Sequence, residues 1–340
     1  MRTFASDNYS GVCPEVMEAI QNANGGHFSG YGNDPYTEKA KALFQKEFGD
    51  DTEVFFVFTG TAANVLSLQL LTKSFHSIVC SSDSHIVIHE VGSAQKHTGC
   101  KLLTVQSPNG KISLEALQKT VDRESYWGRH GTLPKVVSIT QSTEFGLVYT
   151  PKEIAAISKF CHERDMWLHM DGCRLSNAAA YLDCSFHELT RDQGVDILSF
   201  GGTKNGLMLG EAVVFFQPEL SKEFEFIQKE SLQLASKMRF MSAQFIPYLE
   251  DRVWFRNANH ANLLTKKLAQ GLCELPGVRL THEVHTNQIF AKMPTPLFEA
   301  LQKKYPFYMW DPAKEEIRLV VSFDNTLEDV QDFLQFAREA

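Results

Sequence analysis

The sequence predicts an α/β protein: a large domain with a mostly parallel sheet flanked by helices, followed by a small C-terminal α+β domain. Three observations carry the prediction. Between residues 54 and 216, short runs of β-branched and aromatic residues alternate with helix-length segments, as in chains of β-α-β units. Past Pro218 the alternation stops and a helix-rich stretch follows. After Pro276-Gly277, short strand signals return around one further helix. A chain of 340 residues is long for a single core, so residues 1–250 are read as the large domain and 251–340 as the small one, with the first few residues packing against the small domain.

Taken in order, residues 16–20 carry a short helical pattern. The stretch 25–36, dense in Gly, Asn-Asp and Pro, reads as a loop, and 37–48 as an amphipathic helix stopped by Gly49. Strands are predicted at 54–58, 77–80, 102–105, 136–140, 167–170 and 197–200, with a further apolar run at 211–216. Helices are predicted at 65–71, after His85, at 114–121, and from Pro151 to about residue 163. Thr150-Pro151-Lys152-Glu153 is a capping box with proline at the first helical position. Ser185 and Glu188 make a second capping box. In the helix-rich stretch Pro247 is expected to break a helix, since it lacks the N–H of the i→i−4 bond. Strands at 278–280, 288–291 and 317–321, with a helix at 297–303, complete the small domain.

The hydrophobic share of 43% and charged share of 22% are those of a globular protein. A net charge of −8 without a basic cluster argues against nucleic-acid and membrane partners. The opening residues turn polar at once and lack the apolar stretch of a signal peptide. Seven cysteines, an odd number with no Cys-x-x-Cys pair, suggest reduced thiols and a cytoplasmic location.

The chemistry centres on Ile197-Leu198-Ser199-Phe200-Gly201-Gly202-Thr203-Lys204-Asn205. Two glycines end an apolar strand, and Lys204 follows in the turn, ahead of another core segment. Ligands of open α/β sheets bind at such strand ends. A lysine there either snorkels to water or serves as a neutral amine that condenses with an aldehyde. Gly60-Thr61, at a strand-to-helix junction, is either a plain helix start or a phosphate cradle. His85, after a strand, is either structural or stacked on a ring. Asp171, ending Trp167-Leu168-His169-Met170, needs a partner, and Arg174 is one candidate. Together these groups match the needs of pyridoxal 5'-phosphate. Its phosphate seeks a helix N-terminus and its aldehyde a lysine for a Schiff base, while its pyridine nitrogen seeks an aspartate.

The chain resembles the threonine aldolase family of fold-type-I, aspartate-aminotransferase-like pyridoxal-phosphate enzymes. The resemblance is carried by Phe4-Ala5-Ser6-Asp7-Asn8, Tyr31-Gly32-Asn33-Asp34-Pro35, Thr59-Gly60-Thr61, Asp83-Ser84-His85, His169-Met170-Asp171-Gly172-Cys173-Arg174, residues 199–205 and Ile317-Arg318-Leu319-Val320. It implies Lys204 as the Schiff-base lysine, Asp171 as the pyridine partner and His85 stacked on the ring. It also implies Gly60, Thr61 and Thr203 near the phosphate. Ser6, Arg174 and Arg318 would bind the substrate carboxylate, with Arg174 also near the cofactor, and Tyr31 would line the site from a neighbouring subunit of a homodimer or homotetramer. The implied reaction is retro-aldol cleavage of L-threonine, L-allo-threonine and related β-hydroxy-α-amino acids to glycine plus an aldehyde. The rivals are another pyridoxal-phosphate activity (β-elimination, transamination or decarboxylation) and a non-enzymatic α/β protein without cofactor.

The chain departs from the family pattern at Gln141-Ser142-Thr143-Glu144-Phe145, where many members carry a histidine. Glu144 is therefore a candidate acceptor of the β-hydroxyl proton, against His85 or a water as alternatives. No metal site is expected.

Overall fold

In the computed structural model, which describes residues 2–340, the apolar runs of the first two-thirds form one seven-stranded sheet. Its strands are β1 (Glu53–Val57), β2 (His76–Ser81), β3 (Lys101–Val105), β4 (Leu133–Thr140), β5 (Trp167–Gly172), β6 (Ile197–Phe200) and β7 (Glu211–Phe215). They lie in the order β1-β7-β6-β5-β4-β2-β3. β7 runs antiparallel to both neighbours, and the β2, β3, β4, β5 and β6 pairings are parallel. Helices connect the parallel strands, which is why the strands read as continuous apolar runs buried on both faces.

The helix boundaries follow local chemistry. Thr59 caps the helix Gly60–Leu71 by accepting from the Ala62 N–H at 3.1 Å. Thr150 and Ser185 form reciprocal capping boxes with Glu153 and Glu188. The helix Arg239–Glu250 runs through Pro247 instead of breaking there. Proline in a helix interior costs about 3 kcal/mol. Burial of Phe245, Tyr248 and Leu249 offsets it, at about 1.5–3 kcal/mol for each large apolar side chain. The chain breaks instead at Arg252, whose φ of +52° precedes the helix Val253–Cys273.

An aromatic cluster backs the turn that follows β6. The Phe200 ring lies 5.1 Å from Phe186 and 5.4 Å from Phe44, both edge-on. Such pairs add about 0.5–1.5 kcal/mol each beyond their buried area. At Gly201 a Cβ would meet the Cys173 carbonyl oxygen at 2.5 Å, so only glycine lets the ends of β5 and β6 approach this closely.

A second, antiparallel sheet is built from β8 (Arg279–Leu280), β9 (Gln288–Lys292), β10 (Tyr308–Asp311) and β11 (Glu316–Val320), in the order β10-β11-β9-β8. The segment β10, between Pro306 and Pro312, is absent from the sequence-level expectation. The terminal helix Leu327–Glu339, opened by a Thr326–Asp329 capping box, was missed as well. Phe4 joins this second core beside Phe333. Its N–H donates to the Pro306 carbonyl, and its own carbonyl accepts from the Val320 N–H. The N-terminal strand of chain is thereby pinned to β11, next to Arg318.

Candidate active site

The edge of the large sheet where β5 and β6 end carries a cavity of about 280 Å³. Gly60 and Thr61 face it from the first turn of the helix Gly60–Leu71, where backbone N–H groups have no intrahelical acceptor. A Cβ at Gly60 would meet nothing within 4 Å, so this helix end is open to a ligand. Asp171, Thr203, Lys204 and His85 line the same cavity. A second cavity of about 430 Å³ adjoins it, lined by Ser6, Arg174, Arg318, Tyr308 and Trp310, and His85 and Lys204 belong to both.

Asp171 is buried, with Oδ2 accepting from Asn64 Nδ2 at 2.9 Å and Oδ1 from the Cys173 N–H at 3.0 Å. Burial alone raises its carboxyl pKa. The charges of Lys204 and His85, with the bonds from Asn64 and Cys173, outweigh that and hold it below the ordinary carboxylate value. Asp171 is therefore an anion at neutral pH. Burial and the Arg174 charge push the Lys204 ammonium pKa down, while Asp7 and Asp171 push it up. Cys173 adds nothing at neutral pH, because burial lifts its thiol to about 12.

The two arginines differ in their partners. Arg174 donates from Nε and Nη2 to both oxygens of buried Asp7, at 2.8 and 2.9 Å. Arg318 has no carboxylate partner among the described residues: Glu316 faces His282 at 3.7 Å, and Arg318 Nη2 donates to the Ala5 carbonyl at 3.4 Å. The Arg318 Nε is buried without a hydrogen bond, and its guanidinium lies 4.6 Å from the Trp310 ring centre. Burial, with Arg174 nearby, pushes its pKa down to about 10, so it remains charged. A desolvated, unpaired guanidinium is a ready receptor for a planar carboxylate.

Two sequence-derived candidates lie outside these cavities. Tyr31, at a φ of +62° and 52% exposed, lines a different cavity and stacks beneath Lys229 at 4.8 Å. Glu144 is buried beneath His85, where Oε1 accepts from the His85 N–H at 2.9 Å and from Thr140 Oγ1 at 2.8 Å. It touches the histidine backbone, not the space where a ligand would sit. Asn64, Glu90 and Asp7 entered the site without being singled out from sequence as functional. Asn64 and Asp7 do stand inside segments that carry the family resemblance or adjoin it.

Burial pushes the Glu144 carboxyl up to about 7. A carboxyl whose pKa is higher in the fold than in the unfolded chain keeps its stability contribution below about pH 4.5 and loses it as pH rises through about 7. The loss amounts to about 3 kcal/mol by the alkaline side of that window. Glu144→Gln, which preserves the acceptor for the His85 N–H, is expected to match the wild type near pH 4 and to be more stable near pH 8. Melting curves of the cofactor-free proteins check this, and identical melting temperatures at the alkaline pH would rule it out.

Comparison with known proteins identifies the family of the chain. A family model described as beta-eliminating lyase matches residues 3–295. A low specificity L-threonine aldolase from a Pseudomonas species is 46% identical over 307 residues, covering 90% of this chain and 88% of that one. The low specificity L-threonine aldolase of Pseudomonas aeruginosa is 42% identical over 338 residues, covering 98% and 96%. Among solved structures, a threonine aldolase from Leishmania major superposes with a TM-score of 0.94 at 26% identity, covering 100% of this chain and 99% of that one. With relatives matched almost end to end and a family model spanning most of its length, the chain belongs to the beta-eliminating lyase family, among the threonine aldolases.

Proposed function

We propose that this protein is a carbon–carbon lyase that cleaves L-threonine, L-allo-threonine and related β-hydroxy-α-amino acids to glycine and an aldehyde. The observation that carries the reading is the meeting of His85 and Lys204 with two receptors: an anionic Asp171 and open helix N-terminus on one side, an unpaired Arg318 on the other.

These residues fit pyridoxal 5'-phosphate. Gly60, Thr61 and Thr203 would hold the phosphate, Asp171 the protonated ring nitrogen, His85 a ring face and Lys204 the aldehyde carbon, with Arg174 close by. Bound there, the cofactor supplies an electron sink for a bond broken at the substrate Cα. The protein supplies the rest. Arg318 and Ser6 take the substrate carboxylate, and Arg174, held rigid by Asp7, adds positive charge without having to be reoriented. This anchoring would fix the substrate's orientation in the site, and with it which bond at Cα is set to break. Lys204 would hold the cofactor's aldehyde carbon, and its amine, lining both cavities, would move protons near the substrate Cα.

Arg318→Ala is expected to keep the cofactor and its colour while weakening substrate binding. A charged hydrogen bond contributes on the order of 1.5–3 kcal/mol, so KM should rise roughly ten-fold to over a hundred-fold. Unchanged kcat/KM would return Arg318 to a structural role.

Other family chemistries share the lysine and aspartate, and the family model's name favours β-elimination as the second reading. The test is purified protein with added cofactor and L-threonine or L-allo-threonine. Glycine plus aldehyde supports the aldolase, whereas ammonia plus keto acid overturns it. We read residues 1–250 as the cofactor-binding domain and 251–340 as the small domain. We further propose a homodimer or homotetramer, in which exposed Tyr31 lines a neighbouring copy's site. Seven free cysteines support a cytoplasmic location, and among the described residues no helix is long and apolar enough to cross a membrane.

A further inference from the structure

Glu90 has no part in the reading above, yet its carboxylate is the hub of the hydrogen bonds behind the two cavities. It is 2% exposed, and its Oε1 accepts from His85 Nδ1 at 2.7 Å and from Asn64 Nδ2 at 3.0 Å. The same Asn64 nitrogen gives its other hydrogen to Asp171 Oδ2 at 2.9 Å. Asn64 therefore separates two buried acids and leaves each with a donor of its own. Glu90 Oε1 already accepts from Asn64, so in its contact with His85 it accepts again and the hydrogen belongs to Nδ1; a ring carrying that one hydrogen has its lone pair on Nε2. The chain tolerates a cost next to this contact: Val91, directly after Glu90, is 99% exposed with φ +55°, a rare conformation for a β-branched residue.

We propose that Glu90 is a positioning residue that holds His85 with Nδ1–H inward and Nε2 bare, so that His85 takes the β-hydroxyl proton. The proposal rests on the aldolase reading. In the step, the hydroxyl O–H bond breaks and its proton passes to Nε2. The oxygen electron pair becomes the second bond of the aldehyde carbonyl, and the Cα–Cβ pair stays with the glycine half. Returning a proton to Cα completes glycine and restores the neutral imidazole. Glu144 serves the same histidine differently, through its backbone N–H.

The charged and titratable groups around His85 come from several elements. Glu90 and His89 lie on its own segment, Glu144 beneath its backbone, and Asp171 and Lys204 at the ends of β5 and β6. Arg174 and Arg318 stand across the second cavity. Of these, Glu90 alone bonds the His85 ring among the described residues.

The test uses the holoenzyme. Imidazole ¹⁵N NMR, with the His85 signal assigned by its loss in His85→Asn, should show the Nδ1–H tautomer in the wild type. Glu90→Gln should keep the cofactor's visible absorption while kcat on L-threonine falls roughly ten-fold to a hundred-fold. Combining Glu90→Gln with His85→Asn should be no slower than His85→Asn alone, because the two act as one unit. An Nε2–H tautomer in the wild type overturns the proposal even if Glu90→Gln does not fold. So does a Glu90→Gln enzyme with wild-type kcat, or losses that multiply in the double variant. Should the wild type release no glycine from threonine, the aldolase reading fails, and with it the proton-acceptor role, whatever the tautomer.

Discussion

Lys204→Ala is expected to give a folded protein that neither holds pyridoxal phosphate covalently nor releases glycine from L-threonine. Lys204 is the one lysine among the described residues lining the two adjoining cavities, so no second amine is placed to replace it. Loss of a covalent anchor that also moves protons should reduce kcat by at least about a thousand-fold, equivalent to about 4 kcal/mol of barrier. A second consequence concerns stability. Lys204 is the largest of the influences that lower the Asp171 pKa. A carboxyl with a depressed pKa stabilises the fold above its unfolded value of about 3.9, and that contribution is lost as pH falls through the folded value. Removing the lysine raises the folded value, so acid unfolding of the cofactor-free variant should begin at higher pH. The visible spectrum, glycine release and acid titrations measure these effects. An active alanine variant with an unchanged spectrum would refute the central assignment.

Asp171→Asn should be nearly as damaging to catalysis. The amide has one acceptor oxygen where the carboxylate has two, so it keeps only one of the bonds from the Asn64 amide and the Cys173 N–H, and its NH2 faces the other donor. What it loses is the buried negative charge facing the cavity. Preorganised charges of this kind are commonly responsible for about a hundred-fold to a thousand-fold in rate, and a loss of that size in kcat is expected. KM for threonine should change little, since the carboxylate receptor, Arg318, belongs to the other sheet. Wild-type kcat with cofactor bound would show that Asp171 does not face the ring nitrogen.

The site was legible in sequence to the extent that its chemistry is local. Gly201-Gly202 after an apolar run marks a strand end whatever the surroundings, and Lys204 had to follow it. Thr59-Gly60-Thr61 marks a helix start by capping rules that operate within one turn. Pro247 shows the opposite case: local propensity argued for a break, and packing around Phe245 and Tyr248 carried the helix through. The β10 segment was missed because its four residues, Tyr308–Asp311, have too little periodicity to stand out.

By itself, the sequence determined the order and type of the main elements, and with them the edge at which Asp171 and Lys204 emerge. Periods of 2 and 3.6 residues, caps and turn residues act over a few positions and leave their signature in any window of the chain. Only the tertiary structure decided which side chains meet. It turned Glu144 under the His85 backbone, paired Arg174 with Asp7, and left Arg318 without a carboxylate. It also joined Asn64 to both Glu90 and Asp171. Those contacts link residues far apart in the chain, and their strength depends on burial and on competing partners, which no local pattern records.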